Sequence, residues 1–175
     1  MYRERDEARR SEFLKELENI DLEDRVYLDE SGINRYIFRN FGRAVRGEKV
    51  IGEISGQRFI RESFISALLQ GKLLSPMCFQ GTCNTELFNT WLEKMLIPNL
   101  RPGQVLILDN ASFHRSKTSK KLIEGVGCRA LFLPPYSPDL NPIEKCWANL
   151  KVKIRELLRK GEEFINSVDQ AVVAM

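Results

Sequence analysis

Val105-Leu106-Ile107-Leu108-Asp109-Asn110 sets four apolar residues directly against two polar ones. A short, unbroken apolar run with polar residues at its end reads as a strand covered on both faces. Strands of that kind belong to α/β sheets with helices above and below. Pro102-Gly103 is the turn that precedes it. Downstream, residues 116–124 form a short basic helix stopped by Gly125 and Gly127, and residues 130–133 form another buried strand. Pro134-Pro135-Tyr136-Ser137-Pro138 is a rigid connector that cannot be helix interior. Residues 142–159 then read as a long helix, and a further helix begins at Glu162 and is still running at Met175.

Upstream, residues 84–97 carry Leu87, Phe88, Trp91, Leu92, Met95 and Leu96 at helical spacing, with Asn84 as N-cap and Pro98 as the stop. Residues 59–69 and 72–80 are β-branched and aromatic enough for two strands joined at Gln70-Gly71. Val26-Tyr27-Leu28 is a strand that runs into the turn-like Asp29-Glu30-Ser31-Gly32. Residues 33–57, rich in glycine and arginine, read as a long excursion with a short strand near residues 49–53. Residues 3–19 form a charged helix with one apolar stripe of Phe13, Leu14 and Leu17. Three sequential strands predict an antiparallel meander, and the later alternation with helices predicts parallel additions.

A chain of 175 residues with 43% hydrophobic content is sized for one domain with a core of its own. No apolar run approaches the roughly 20 residues that span a bilayer. The opening Met1-Tyr2-Arg3-Glu4-Arg5-Asp6 lacks the apolar region of a secretion signal, so a cytosolic protein is expected. Cys78, Cys83, Cys128 and Cys146 form no C-x-x-C pair, and His114 is the only histidine. That argues for reduced thiols and against a structural zinc site.

The net charge of +3 is uneven: residues 1–25 hold six Lys/Arg and nine Asp/Glu, so the rest carries +6. Arg115, Lys117, Lys120 and Lys121 form one basic group; Lys145, Lys151, Lys153, Arg155, Arg159 and Lys160 form another. Each group fits either a solvated helix face or contacts to a phosphate backbone.

Three acidic residues stand at comparable places. Asp29 ends the first strand, Asp109 ends the fourth, and Glu144 opens the long helix after the fifth. Sites in open α/β sheets form beyond the carboxyl ends of central strands. Three carboxylates gathered there would repel one another unless a divalent cation such as Mg²⁺ or Mn²⁺ joined them. Two such ions suit in-line displacement at phosphorus. Each residue also has an ordinary reading. Asp29 fits a turn, Asp109 fits a cap, and Asn141-Pro142-Ile143-Glu144 fits N-cap to N3 of a capping box. Composition and periodicity do not choose between them.

Three local motifs do. Y-L-D-E-S-G at residues 27–32, L-D-N-A-S-F-H at 108–114 and L-P-P-Y-S-P-D-L-N-P-I-E-K-C-W at 133–147 occur in that order. Together they resemble the DDE transposases of the mariner-like superfamily, in particular its bacterial insertion-sequence branch. The 34 residues between Asp109 and Glu144 match the spacing of that superfamily. The resemblance covers residues 5–160 and implies an α/β, ribonuclease-H-like fold: a mixed five-stranded sheet flanked by helices. It implies that Asp29, Asp109 and Glu144 form a catalytic triad binding Mg²⁺ or Mn²⁺, with two ions when DNA is bound. The implied reaction is hydrolysis at transposon ends followed by attack of the freed 3′-hydroxyl on target DNA. The implied partners are double-stranded DNA at transposon ends and target sites, and a second copy in the active complex, in the bacterial cytoplasm near the nucleoid.

With that reading, Asn110 orients its neighbour or touches substrate, and His114, in the D-N-x-x-x-H pattern, supports the site, contacts the DNA backbone or is simply structural. Asp139 and Asn141 orient the loop before Glu144 or cap it. Glu30 is expected to turn away from Asp29 by pleat alternation. Trp91 and Trp147 are expected to pack between helix and sheet. Arg115, Lys117, Lys120, Lys121, Lys145, Lys151 and Lys153 become DNA-backbone contacts. The expected organisation is an N-terminal helix or linker over 1–25, a catalytic domain over 26–160 and the start of a helix over 161–175. The N-terminal helix-turn-helix of mariner-like enzymes has no counterpart here. The expectation is therefore a fragment, a second reading frame or a frameshift product. The alternatives are a non-catalytic remnant that binds DNA or a partner, and a host nuclease on the same fold.

Overall fold

A computed structural model describes residues 6–34, 43–49, 51 and 61–174. The strand expected near residues 49–53 rests on residues 50, 52 and 53, which lie outside the described residues. Five strands form one sheet: β1 (Arg25–Asn34), β2 (Arg61–Leu69), β3 (Lys72–Gln80), β4 (Val105–Leu108) and β5 (Arg129–Phe132). Their spatial order is β3-β2-β1-β4-β5. The first three are antiparallel, and β4 and β5 are added parallel to β1. The α-helices among the described residues are α1 (Glu7–Glu18), α2 (Thr85–Trp91), α3 (Lys117–Gly125), α4 (Ile143–Arg159) and α5 (Phe164–Val173).

Pleat alternation divides the core. Val26, Leu28, Ile65, Ala67, Leu106 and Leu108 pack with Phe88 and Trp91 of α2 and Ile123 of α3. On the other face, Phe64 and Leu68 meet Ile143, Trp147, Leu150 and Ile154 of α4 and Phe164 and Val168 of α5. Val105 and Ile107 meet Phe13 of α1 on that same face. All four residues of β4 are buried, as its unbroken apolar run requires. β5 departs from expectation. It is an edge strand, exposed at Arg129 and only half-buried beyond, because nothing pairs with its outer side among the described residues.

Three boundaries also differ from the sequence reading. β1 does not end at Asp29; it continues through Asp29-Glu30-Ser31-Gly32, whose residues pair one for one with Ser66 to Ser63 of β2. Long-range pairing overrides the turn propensity of those letters. In α1, Phe13 is buried but Leu14 is 40% exposed; the second inward residue is Arg10, at 5%. After Trp91, α2 widens into a π turn (Leu92–Leu96) and closes as a 3₁₀ turn (Ile97–Asn99) before Leu100. Trp91 and Trp147 are both buried, as expected.

Candidate active site

The register of β1 and β4 sets the site. Arg25 faces Val105 and Tyr27 faces Ile107; continuing two residues brings Asp29 level with Asp109. β4 stops at Leu108, while β1 runs on to Asn34. Asp29 therefore stands where β1 overshoots its neighbour, and Asp109 is the first residue after β4. Glu144 is the second residue of α4, the helix that packs across this part of β1. All three side chains line one cleft of about 400 Å³, together with Asn110, Ala111, residues 133–138 and Asn141.

The indole Nε1–H of Trp147 donates to Asp29 Oδ2 at 3.1 Å. Burial pushes the Asp29 carboxyl up to about 8, reinforced by the charges of Glu144, Glu30 and Asp109 and opposed by the Glu30 backbone N–H. Asp109 goes the other way. A hydrogen bond from His114 holds it below the usual carboxylate range, against partial burial, with help from the Ala111 N–H at 2.9 Å. Both bonds fall on Asp109 Oδ1.

His114 is at the centre of this asymmetry. Its ring is fully enclosed, with Phe88 and Phe113 each 4.5 Å away between centroids. Nδ1 lies 2.7 Å from Asp109 Oδ1 and Nε2 lies 2.9 Å from Glu30 Oε1. Carboxylates accept only, so two such contacts call for a proton on each ring nitrogen. Burial alone would lower the imidazole, but the bonds to Asp109 and Glu30 and their charges outweigh it and raise it to about 9. A ring so enclosed has no route to a DNA backbone. Glu30 does turn to the face opposite Asp29, but there it meets the only histidine of the chain.

Of the supporting residues, Asn110 Nδ2 donates to the Leu133 carbonyl at 2.5 Å and its Oδ1 accepts from Arg115. This ties the end of β4 to the end of β5. Asp139 receives Arg10 in a two-pronged ion pair at 3.1 and 2.7 Å, clamping the loop before α4 onto α1. Asn141 is not an N-cap. Its Nδ2 donates to the Leu28 carbonyl at 3.3 Å, beside Asp29, and α4 begins at Ile143 without a side-chain cap. Glu144 is thus left without its capping-box explanation, since Asn141 Oδ1 accepts no hydrogen bond from the start of α4.

Arg115 lies over the Phe132 ring at 4.4 Å. Lys117, Lys120 and Lys121 are exposed on α3, with Lys120 3.7 Å from Glu124. Lys145 and Lys153 are exposed on α4 and Lys151 is half-buried.

The donor set suits a hard divalent cation. Three carboxylates face one cleft, and the proton that Asp29 retains is the charge a cation would replace. Among the described residues, no three His, Cys, Asp or Glu side chains already stand close enough to share an ion. Glu144 is exposed at the start of α4, so its side chain has freedom to draw inward toward the two aspartates. The sequence reading missed the Glu30–His114 contact, the Trp147 donor and the Arg10 clamp. The single histidine near two acidic motifs was the only available signal for the first.

Comparison with solved structures gives the fold, and the family match gives the class. The chain is similar to the Mos1 strand transfer complex (TM-score 0.64, 16% identity, 93% of this chain and 55% of that one). It is similar to the mariner Mos1 paired end complex with Mg (TM-score 0.64, 15% identity, 93% and 56%). It also resembles the intasome of simian T-cell lymphotropic virus (TM-score 0.57, 12% identity, 88% and 49%). At these identities the likeness concerns the fold, which is the ribonuclease-H-like α/β fold of transposase and integrase cores. The sequence matches the family described as DDE superfamily endonuclease over residues 24–165, and the chain belongs to that family. No curated protein sequence matches it. The chain spans about half the length of the solved chains it resembles.

Proposed function

We propose that this chain is the catalytic portion of a mariner-like transposase of the bacterial insertion-sequence branch. In this reading it cuts DNA at transposon ends and joins the freed 3′-hydroxyl to target DNA. The observation that carries the reading is that Asp29, Asp109 and Glu144, from three distant segments, line one cleft. The intact motifs around them and the family match support it.

Asp29, Asp109 and Glu144 would hold Mg²⁺ or Mn²⁺, which when bound supply an activated attacking oxygen and charge neutralisation at phosphorus. The chain's own residues do the rest. Trp147 of α4 fixes one oxygen of Asp29. Asn141 ties the segment just before α4, and with it the start of the helix that carries Glu144, to β1 beside Asp29. Asn110 and the Arg10–Asp139 clamp shape the opposite wall. In this reading Arg115, Lys117, Lys120, Lys121, Lys145, Lys151 and Lys153 are phosphate contacts, which position DNA without reading its sequence. No serine or tyrosine nucleophile enters. The active complex would be a homodimer on paired DNA ends, working at the nucleoid.

One observation favours the alternative of a DNA-binding remnant without catalysis: no ready-made three-ligand set stands among the described residues. Incubation with supercoiled DNA and Mn²⁺ separates the two. Nicking by the wild type that is lost in Asp109→Ala supports the enzyme. Binding without nicking in either protein supports the remnant.

A further inference from the structure

We infer that Glu30 is a positioning residue for Asp109, acting through His114. The inference rests on the metal-dependent reading above. It concerns how the two aspartates are kept in place relative to each other.

The β1–β4 ladder ends at Tyr27 and Ile107, two residues short of the aspartates. No strand pairing therefore joins β1 to the chain after β4 at the level of the cleft. The Glu30–His114–Asp109 contacts cross that gap. Glu30 belongs to β1 and is itself paired with Ile65 of β2, so its backbone is fixed. The His114 ring is clamped between Phe88 and Phe113 and has no freedom to swing. Through Nδ1 it grips Oδ1 of a carboxylate whose side chain is otherwise half exposed. An aspartate on a loop would sample several rotamers; one gripped at one oxygen presents the other in a set direction. The relay thus couples Asp109 to the strand that carries Asp29. Removing such outer partners of metal ligands typically weakens metal affinity about 10–100-fold.

The test is Mn²⁺ binding to the purified chain by calorimetry, which does not require turnover. Wild type, Asp109→Ala, Glu30→Ala, the shape-keeping Glu30→Met and the acceptor-keeping Glu30→Gln are compared. Mn²⁺-dependent nicking is followed in parallel. Glu30→Ala and Glu30→Met are expected to bind Mn²⁺ at least tenfold more weakly, and to need correspondingly more Mn²⁺ for half-maximal nicking. Glu30→Gln, which still offers an oxygen to Nε2, is expected to stay within about threefold of wild type. If Asp109→Ala loses binding while Glu30→Ala and Glu30→Met bind like wild type, the relay is refuted and the triad reading stands. If Glu30→Gln is as weak as Glu30→Ala, the hydrogen bond is not the cause and the positioning role is refuted. If wild type and Asp109→Ala bind alike, or neither binds, the triad reading fails and this inference falls with it.

Discussion

Replacing Asp29 by asparagine removes the one carboxyl that burial and three neighbouring acids push up to about 8. Its ordinary value is 3.8. Between those two values the native protein retains a proton that the unfolded chain has released. Native binding of the extra proton means that stability falls as pH rises through this window. Each unit of pH costs about 1.36 kcal/mol, so the full effect between pH 4 and pH 7 is about 4 kcal/mol. Part of the upward push comes from Glu144 and Asp109, which are exposed enough to be screened, so about 2–4 kcal/mol is the working range. Asparagine cannot ionise, yet its carbonyl can still accept from Trp147. For a domain of this size that gain corresponds to roughly 5–15 °C in melting temperature at pH 7. The assay is thermal or urea unfolding of wild type and Asp29→Asn in chelator, from pH 4 to pH 8. The difference between the two should be small near pH 4 and grow in favour of the variant toward pH 8. Added Mn²⁺ should then stabilise the wild type more than the variant. A difference that stays flat with pH, or a variant that is the less stable protein at pH 7, would refute the argument that Asp29 is a desolvated carboxyl in a crowded acidic cleft.

Other outcomes follow from contacts already described. Trp147→Phe keeps most of the packing but removes the donor to Asp29; a loss of about 2 kcal/mol is expected at pH 7, measured by urea unfolding, and a similar loss in an Asp29→Asn background, whose carbonyl accepts the same bond. Arg10→Ala removes the two-pronged pair with Asp139 and so loosens the hold of α1 on the loop before α4. Hydrogen exchange over residues 134–141 should accelerate while the β4 amides stay protected. DNA affinity should fall steeply between about 50 and 200 mM salt, and Lys117→Ala with Lys145→Ala should reduce the logarithmic slope by about one per contact. A slope unchanged in the double variant would remove these lysines from the interface.

Much of the fold was legible because the apolar runs were unambiguous. Residues 105–108 could hardly be anything but a doubly covered strand, and the two hairpin strands showed their turn at Gln70-Gly71. What misled was local chemistry overruled by distant partners. The letters of Asp29-Glu30-Ser31-Gly32 favour a turn, but the waiting edge of β2 extends them as strand. Asn141 and Glu144 spell a capping box, but Leu28 offers the asparagine a carbonyl across the cleft. The acidic residues of the cleft were readable from their motifs. The histidine bridge was not, since it joins residues 84 positions apart. Nor was the Arg10–Asp139 clamp, which spans 129.

The equal height of Asp29 and Asp109 has a consequence for how this chain can change over generations. Their alignment is inherited from a ladder of backbone bonds between neighbouring strands, not from the length of chain that separates them. Connections remote from the cleft, such as the β2–β3 turn at Gln70-Gly71, can therefore gain or lose residues without retuning it. Adding or deleting one residue within β4 itself would turn the carboxylate to the wrong side of the sheet. Tolerance to insertion should thus be sharply discontinuous along the sequence, generous in the connections remote from the cleft and near zero inside this four-residue strand.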